Sequence, residues 1–140
     1  MNRQQPRTER EIVDTLVSAL RESLSSTVIA LGREISSHGR ARADVAFLID
    51  DEVWAVEVKK TDWRRAIAQA VLNRYAFDRS LIGLWRTELE EEIVDEAERW
   101  GIGVIGIQPG GAEVLIPAAQ NIPDPSLRDR VVVRLERLAE

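Results

Sequence analysis

The sequence contains no cysteine and only one histidine, His38. The absence of cysteine excludes disulfides and thiolate metal sites, and one histidine is too few for a multi-histidine zinc site. Any metal site must therefore be built mainly from carboxylate and carbonyl oxygens. These are the ligands that Mg²⁺ and Mn²⁺ prefer.

Long hydrophobic runs are also missing. No apolar segment approaches the ~18 residues that span a bilayer, and the N-terminal segment MNRQQPRTER lacks the apolar core of a signal peptide. We therefore expect no membrane partner and a cytoplasmic location. Residues 1–7 are predicted to be a disordered lead and residues 8–140 a single domain, since 140 residues is an ordinary domain length.

The net charge of −5 counts against a large nucleic-acid footprint, because such surfaces are usually basic. Binding depends on local charge, however, and the basic residues fall into two groups. Both groups are candidates for contacts with phosphates. The first comprises Arg33, His38, Arg40 and Arg42, and the second comprises Lys59, Lys60, Arg64 and Arg65.

Apolar periodicity and turn residues indicate alternating helices and strands, which predicts an α/β fold with a mixed central sheet flanked by helices. Thr87 followed by Glu90 has the spacing of a capping box, and Gly101 is predicted to end that helix. The segment GIGVIG has the glycine spacing of a dinucleotide-binding loop but lies within a predicted strand, which argues against that function. The predicted helices are residues 7–23, 61–76, 87–100 and 124–138, and the predicted strands are residues 27–36, 43–49, 53–59, 80–85, 102–107 and 112–116.

The residues that carry chemistry lie in the segment RADVAFLIDDEVWAVEVKK, residues 42–60. Alternate side chains of a strand share one face, so Glu57 and Lys59 lie on the same face of their strand. A two-residue hairpin turn at Asp50 and Asp51 places Asp44 directly opposite Glu57, with the Cβ atoms roughly 4.5–5.5 Å apart.

Two opposed carboxylates repel each other unless a cation joins them. Mg²⁺ or Mn²⁺ is the predicted partner of Asp44 and Glu57, and the carbonyl oxygen of Val58 can complete the coordination. The ammonium group of Lys59 is then placed to stabilise charge on a phosphoryl group or to orient a water molecule. Such a set suits metal-dependent hydrolysis of a phosphodiester.

Structural roles are open alternatives for these residues. Asp44 can be a charge at the end of a hairpin. Glu57 interrupts an apolar run, and an ion pair with Lys59 or Arg42 can compensate for its burial. Lys59 and Lys60 can form a solvated strand end.

The pattern of Asp44 followed by Glu57-Val58-Lys59 resembles the PD-(D/E)XK superfamily of nucleases, also called restriction-endonuclease-like. The order of a helix, strands with the acidic motif and a second helix is similar to the core of that family over residues 8–107. Ala43 stands where the family name has proline, and this departure is frequent in the superfamily. The resemblance implies a restriction-endonuclease-like three-layer core and a catalytic set of Asp44, Glu57 and Lys59.

Two further residues extend the resemblance. The first helix begins TEREIV, similar to Holliday-junction-resolvase-like members in which the first glutamate helps to hold metal. This implies a ligand role for Glu9, with Glu11 as its substitute, although a glutamate in a first turn also favours the helix dipole. Gln69 matches a glutamine that many members carry after the ExK strand, and it is a candidate catalytic residue. Because position 73 is asparagine instead of tyrosine, small repair nucleases, including the VRR type, look more similar than an exonuclease-like branch.

The expected function is therefore that of a Mg²⁺- or Mn²⁺-dependent endonuclease acting on DNA in repair, recombination or restriction, with RNA as the alternative substrate. A homodimer is a further expected partner state, since paired sites can cut both strands. One alternative is a catalytically silent nucleic-acid-binding or scaffold protein of the same fold. A second is an acidic regulatory partner of the immunity or antitoxin type, although such a protein has no use for opposed carboxylates.

Overall fold

A computed structural model describes residues 6, 8–23, 28–37 and 41–139, and these residues form four helices and six strands. The predicted disordered lead therefore lies, apart from Pro6, outside the described residues. In chain order the elements are α1 (Glu9–Ser23), β1 (Val28–Ser36), β2 (Arg42–Ile49), β3 (Glu52–Val58), α2 (Trp63–Asn73), β4 (Arg79–Leu84), α3 (Glu91–Trp100), β5 (Gly103–Gln108), β6 (Gly111–Ile116) and α4 (Pro125–Ala139).

The six strands form one mixed sheet in the order β1-β2-β3-β4-β5-β6. The β1-β2, β2-β3 and β5-β6 pairs are antiparallel, whereas β3-β4 and β4-β5 are parallel. Each parallel connection needs a crossover, and α2 and α3 supply these two crossovers. The predicted α/β fold with a mixed sheet is confirmed.

The β2-β3 hairpin has the predicted two-residue turn. Ile49 pairs with Glu52, and Asp50 between them has a φ of 52°, a left-handed conformation that aspartate tolerates better than most residues. Further along, Val45 pairs with Val56, so the register is the predicted one. A slip by one residue would have turned the acidic side chains of the hairpin to the opposite face.

Helices cover both faces of the sheet and complete three layers. On one face, the apolar stripe of α1 packs against alternate residues of the central strands, including Val56 and Leu81. On the other face, α2 and α3 pack against Ile82 and Val104, and α4 packs against Leu48. Among the described residues, no helix combines the length and the apolar character needed to cross a bilayer.

The helix ends explain where the sequence prediction succeeded and where it was wrong. The side chain of Asp62 caps α2 by accepting from the nitrogen of Arg65, and Gly101 ends α3 with a φ of 68°. The predicted capping box at Thr87 is wrong, because α3 begins only at Glu91. The carboxylate of Glu90 binds the guanidinium of Arg86 and so makes no capping hydrogen bond.

Candidate active site

Strands β2 and β3 separate at the end of the sheet that lies opposite their hairpin. Their backbone ladder runs as far as the pair Val45–Val56. Beyond this pair, a side chain takes over the role of the backbone: Oδ2 of Asp44 accepts a hydrogen bond of 2.7 Å from the nitrogen of Val58. Asp44 therefore occupies the point where the two strands part.

Glu57 lies beside Asp44 and is buried, with only 7% of its surface exposed. Its Oε2 atom has no hydrogen-bond partner among the described residues. Burial is the main cause that raises the pKa of the Glu57 carboxyl from its ordinary 4.5 to about 8. The negative charge of the nearby Asp44 side chain raises this pKa further.

Lys59 and Arg42 are the basic neighbours of this acid pair. Their charges lower the pKa of Glu57, but less than burial and Asp44 raise it. The Lys59 side chain is 23% exposed, and Arg42 is exposed. Neither residue forms an ion pair with Glu57 in the described part of the chain, so the ion-pair alternative for Glu57 is wrong.

Glu9 reaches the same end of the sheet from α1. Its Oε2 accepts a hydrogen bond of 3.0 Å from the nitrogen of Lys60, and its Oε1 lies 3.8 Å from Nζ of Lys59. Within the described ranges, no group of three or more histidine, aspartate or glutamate side chains is arranged to bind a metal ion. The structure thus brings Asp44 and Glu57 together as a pair and does not add Glu9 to them.

This donor set fits one divalent cation. Two carboxyl groups lie close together, and one buried oxygen of Glu57 has no hydrogen-bond partner among the described residues. Burial, together with the charge of Asp44, raises the pKa of Glu57 to about 8. A cation with a preference for oxygen ligands would relieve both the repulsion and the unpaired buried oxygen.

The other predicted site residues are more scattered. Gln69 is half-buried on α2, and its side chain makes no described hydrogen bond. Arg33 pairs with Asp14 of α1 on the opposite face of the sheet from Asp44. The predicted phosphate contacts His38 and Arg40 lie outside the described residues.

The second basic group follows β3 and enters α2. Lys60 and Arg65 are exposed. The guanidinium of Arg64 lies 4.2 Å from the centre of the Trp63 ring and pairs with Glu92 at 2.9 Å. Arg64 is thus engaged within the protein, whereas the side chain of Arg65 faces solvent.

Sequence reasoning did not identify the role of Asn73 behind this site. This buried residue accepts a hydrogen bond of 2.9 Å from the nitrogen of Arg42, at the start of the strand that carries Asp44, and its own Nδ2 has no partner among the described residues. The sequence feature that could have identified this role is the position of Asn73, a polar residue on the otherwise apolar buried face of α2. Asn73 therefore fixes the beginning of β2 against α2.

A groove of about 470 Å³ lies elsewhere, between α2 and α3. Trp63, Arg64 and Ile67 line one side, and acidic residues of α3 line the other. Neither Asp44 nor Glu57 lines this groove. The acid pair instead lies at the end of the sheet where β2 and β3 separate.

No protein-family model and no curated protein sequence matches the chain. Among solved structures, the chain is similar to the SPO1766 protein of Silicibacter pomeroyi, whose function is unknown. The TM-score is 0.68 at 17% identity, over 98% of this chain and 87% of that one, which shows a common fold. A weaker likeness, with a TM-score of 0.39 at 16% identity over 81% of this chain and 62% of that one, links it to Pyrococcus furiosus SfsA in complex with Ca²⁺. A likeness at that level does not define a common fold.

Proposed function

We propose that this chain is a Mg²⁺- or Mn²⁺-dependent endonuclease that hydrolyses phosphodiester bonds in DNA. The observation that carries the proposal is the acid pair at the diverging ends of β2 and β3. Asp44 and Glu57 lie close together there, one buried oxygen of Glu57 has no hydrogen-bond partner among the described residues, and Lys59 comes directly after β3. A purely structural role for the acid pair does not explain a buried carboxyl oxygen without a hydrogen-bond partner.

Each residue has a distinct part in this reaction. Asp44 and Glu57 would hold the cation, with the Val58 carbonyl as a further ligand. When bound, a divalent ion supplies Lewis acidity toward a phosphoryl oxygen and makes water a stronger acid. Lys59 contributes a point charge that stabilises negative charge on the phosphoryl oxygens in the transition state.

The resemblance to the PD-(D/E)XK superfamily gains support from the fold. The element order α1-β1-β2-β3-α2-β4 is the order expected for that core, and Asp44, Glu57 and Lys59 all belong to one end of the sheet. In addition, only two of the 19 lysine and arginine residues are lysines, Lys59 and Lys60. A lysine at this position supplies a compact ammonium charge that arginine does not replace.

The surface around the acid pair offers cations to a polyanionic substrate. Arg42 is exposed next to Glu57, and Lys60 and Arg65 are exposed beyond the end of β3. Each cation that contacts a phosphate adds about 0.9 to the slope of log affinity against log salt for duplex DNA. Arg65→Ala should therefore weaken DNA binding and reduce that slope by about this amount, with no preference among sequences.

Cleavage assays test the proposed activity. The full chain is incubated with plasmid, linear, single-stranded and branched DNA in Mg²⁺ or Mn²⁺, beside Asp44→Ala and Asp95→Ala. Asp95 is an exposed aspartate on α3, so this variant controls for the loss of one negative charge. We expect cleavage by the wild type and by Asp95→Ala, no cleavage by Asp44→Ala, and no cleavage in EDTA.

Other outcomes separate the alternatives. Binding of DNA without cleavage would favour a silent nucleic-acid-binding protein of this fold. Neither binding nor cleavage would favour an acidic regulatory partner. Equal cleavage by wild type and Asp44→Ala would point to a contaminating nuclease and refute the role of the acid pair. Parallel assays on RNA decide between the two nucleic acids.

A further inference from the structure

Glu9 is held at the start of α1 and contacts the end of β3 twice. Thr8 caps the helix, since its Oγ1 accepts from the nitrogen of Glu11 at 3.2 Å. From this first turn, Oε2 of Glu9 accepts from the nitrogen of Lys60 at 3.0 Å, across 51 residues of chain. Its Oε1 lies 3.8 Å from Nζ of Lys59. One carboxylate thus joins two layers of the fold at the candidate site.

Lys59 is near two acids, Glu9 and Glu57. Its ammonium group contacts Glu9, and its charge lowers the pKa of Glu57. Glu9 itself is not among the charges that shift the pKa of Glu57. Glu9 therefore contacts Lys59, whereas Asp44 influences the pKa of Glu57.

A lysine at this position needs such a partner. Its ammonium group sits at the end of a flexible four-carbon chain, and ordering such a side chain costs rotamer entropy. The carboxylate of Glu9, at the start of α1, restrains the ammonium group of Lys59. About half of the Glu9 side chain is shielded from solvent, since 46% of it is exposed. Because Lys60 offers its backbone nitrogen to the same carboxylate, Glu9 is itself held in place.

We propose that Glu9 is a positioning residue for Lys59 and not a ligand of the divalent ion, so that Asp44 and Glu57 hold a single ion between them. This inference rests on the proposed function. It differs from the role that the resemblance implied for Glu9, because the carboxylate that would complete an acid triad is already engaged with the end of β3.

Metal binding separates the two roles. Free Mn²⁺ is followed by electron paramagnetic resonance during titration of the full chain, of Glu9→Gln, of Asp44→Asn and of Glu22→Gln. Glu22 lies at the far end of the same helix, is exposed, and undergoes the same change of charge. We expect one Mn²⁺ per wild-type chain. Glu9→Gln and Glu22→Gln should change the affinity by less than about fivefold, the size of an exposed charge effect. Asp44→Asn should weaken it by more than about tenfold, a loss typical even of residues that only support a ligand.

A second measurement needs no metal. Because the chain has only two lysines, reductive ¹³C-methylation, which keeps the charge, labels just Lys59, Lys60 and the N-terminal amine. In EDTA, Glu9→Gln should shift the methyl resonance of Lys59, and Glu22→Gln should leave it unchanged. The side-chain oxygen of the glutamine can still accept from the nitrogen of Lys60, so the fold is preserved and the effect reports the lost ion pair.

Kinetics supply the third measurement. Lys59 acts in the transition state. Glu9→Gln misplaces it and should therefore lower kcat by roughly ten- to a hundredfold with KM unchanged.

Loss of Mn²⁺ affinity in Glu9→Gln equal to that in Asp44→Asn would show that Glu9 is a ligand and would overturn this inference without refuting the proposed function. An unshifted Lys59 resonance in Glu9→Gln would overturn it as well. Absence of Mn²⁺ binding by the wild type would instead refute the proposed function, and the inference with it.

Discussion

Asp44 accepts a hydrogen bond from the backbone nitrogen of Val58 at 2.7 Å, at the point where the backbone ladder between their strands has ended. The same carboxylate raises the pKa of its neighbour Glu57. Asp44 thus stabilises the end of β3 through one interaction and destabilises it through another. Substitutions that separate the two effects test this arrangement.

Replacing Asp44 by asparagine should raise the melting temperature in EDTA above pH 8, where Glu57 is ionised. The amide oxygen can still accept from Val58, and the repulsion of Glu57 is removed. A gain of 1 kcal/mol would correspond to roughly 3–4 °C for a chain of this size. Differential scanning calorimetry of wild type and Asp44→Asn measures the shift, and a lower melting temperature for the variant would contradict the repulsion.

Asp44→Ala provides the comparison for that experiment. It removes the repulsion too, but it also leaves the nitrogen of Val58 without its acceptor, a cost of about 1–3 kcal/mol for a group that stays buried. The alanine variant should therefore be less stable than the asparagine variant in EDTA. Mn²⁺ should stabilise the wild type more than either variant, because the stabilisation by a bound ion falls as its affinity falls.

Glu57 makes the stability of the metal-free protein depend on pH. Its pKa is about 8 in the folded state and near 4.5 when solvated, so the folded chain binds the additional proton between these values. The contribution of Glu57 to stability is fully present below pH 4.5 and is lost as the pH rises through 8. Within that window, the free energy of unfolding should fall by about 1 kcal/mol per pH unit relative to a group with no shift.

Glu57→Gln supplies the reference for this measurement. Urea unfolding in EDTA at five pH values from 5 to 9 gives the difference in free energy of unfolding between the variant and the wild type. We expect the variant to gain stability relative to the wild type as the pH rises to 8, and the difference to level off above it. Parallel pH profiles for the two proteins would show that Glu57 titrates normally.

The sequence predicted the hairpin register because local chemistry determines it. Two aspartates between alternating apolar residues specify a two-residue turn, and the turn determines which side chains lie opposite each other. Asp50 adopts the positive φ that this turn requires. The register predicted Asp44 directly opposite Glu57. The backbone ladder ends one pair earlier, at Val45 and Val56, and Asp44 accepts from the nitrogen of Val58.

Contacts between distant segments could not be predicted in the same way. Glu9 meets Lys60 across 51 residues, and Asp78 meets Arg128 across 50. Periodicity shows which face of an element is apolar, but not which polar groups meet at its ends. The ion pair of Arg33 with Asp14 of α1 is a further contact between distant segments that grouping basic residues by sequence did not predict.

The pair of Asp78 and Arg128 leads to a prediction about stability that is independent of the acid pair. Asp78 is buried, accepts from the nitrogen of Val53 at 2.7 Å and binds Nε of Arg128 at 3.0 Å. Arg128→Met should cost roughly 3–5 kcal/mol because it leaves a buried charge without its partner. Chemical denaturation measures the loss, with the exposed Arg137→Met of the same helix as the control.

A double-mutant cycle makes this test sharper. Adding Asp78→Asn to Arg128→Met removes the unpaired charge, so the double variant should be more stable than the sum of the two single losses implies. Additive losses would show that the two side chains do not interact in solution. Mn²⁺ affinity should be unchanged in every variant that remains folded, since this pair lies at the opposite end of β3 from Glu57.

Gly106 shows why the glycine spacing of GIGVIG does not indicate a nucleotide site. It lies within β5, where an added Cβ would come 2.6 Å from the carbonyl oxygen of Arg86 and 2.7 Å from Cδ1 of Leu115. A backbone carbonyl cannot move aside as a flexible side chain can, so Gly106→Ala should destabilise the fold by about 1–3 kcal/mol. At Gly111 an added Cβ would meet no atom within 4 Å, so Gly111→Ala should change stability by less than about 0.5 kcal/mol. Urea denaturation of both variants measures the contrast, and equal stabilities would mean that β5 and the segment after β4 do not pack as closely as this spacing requires.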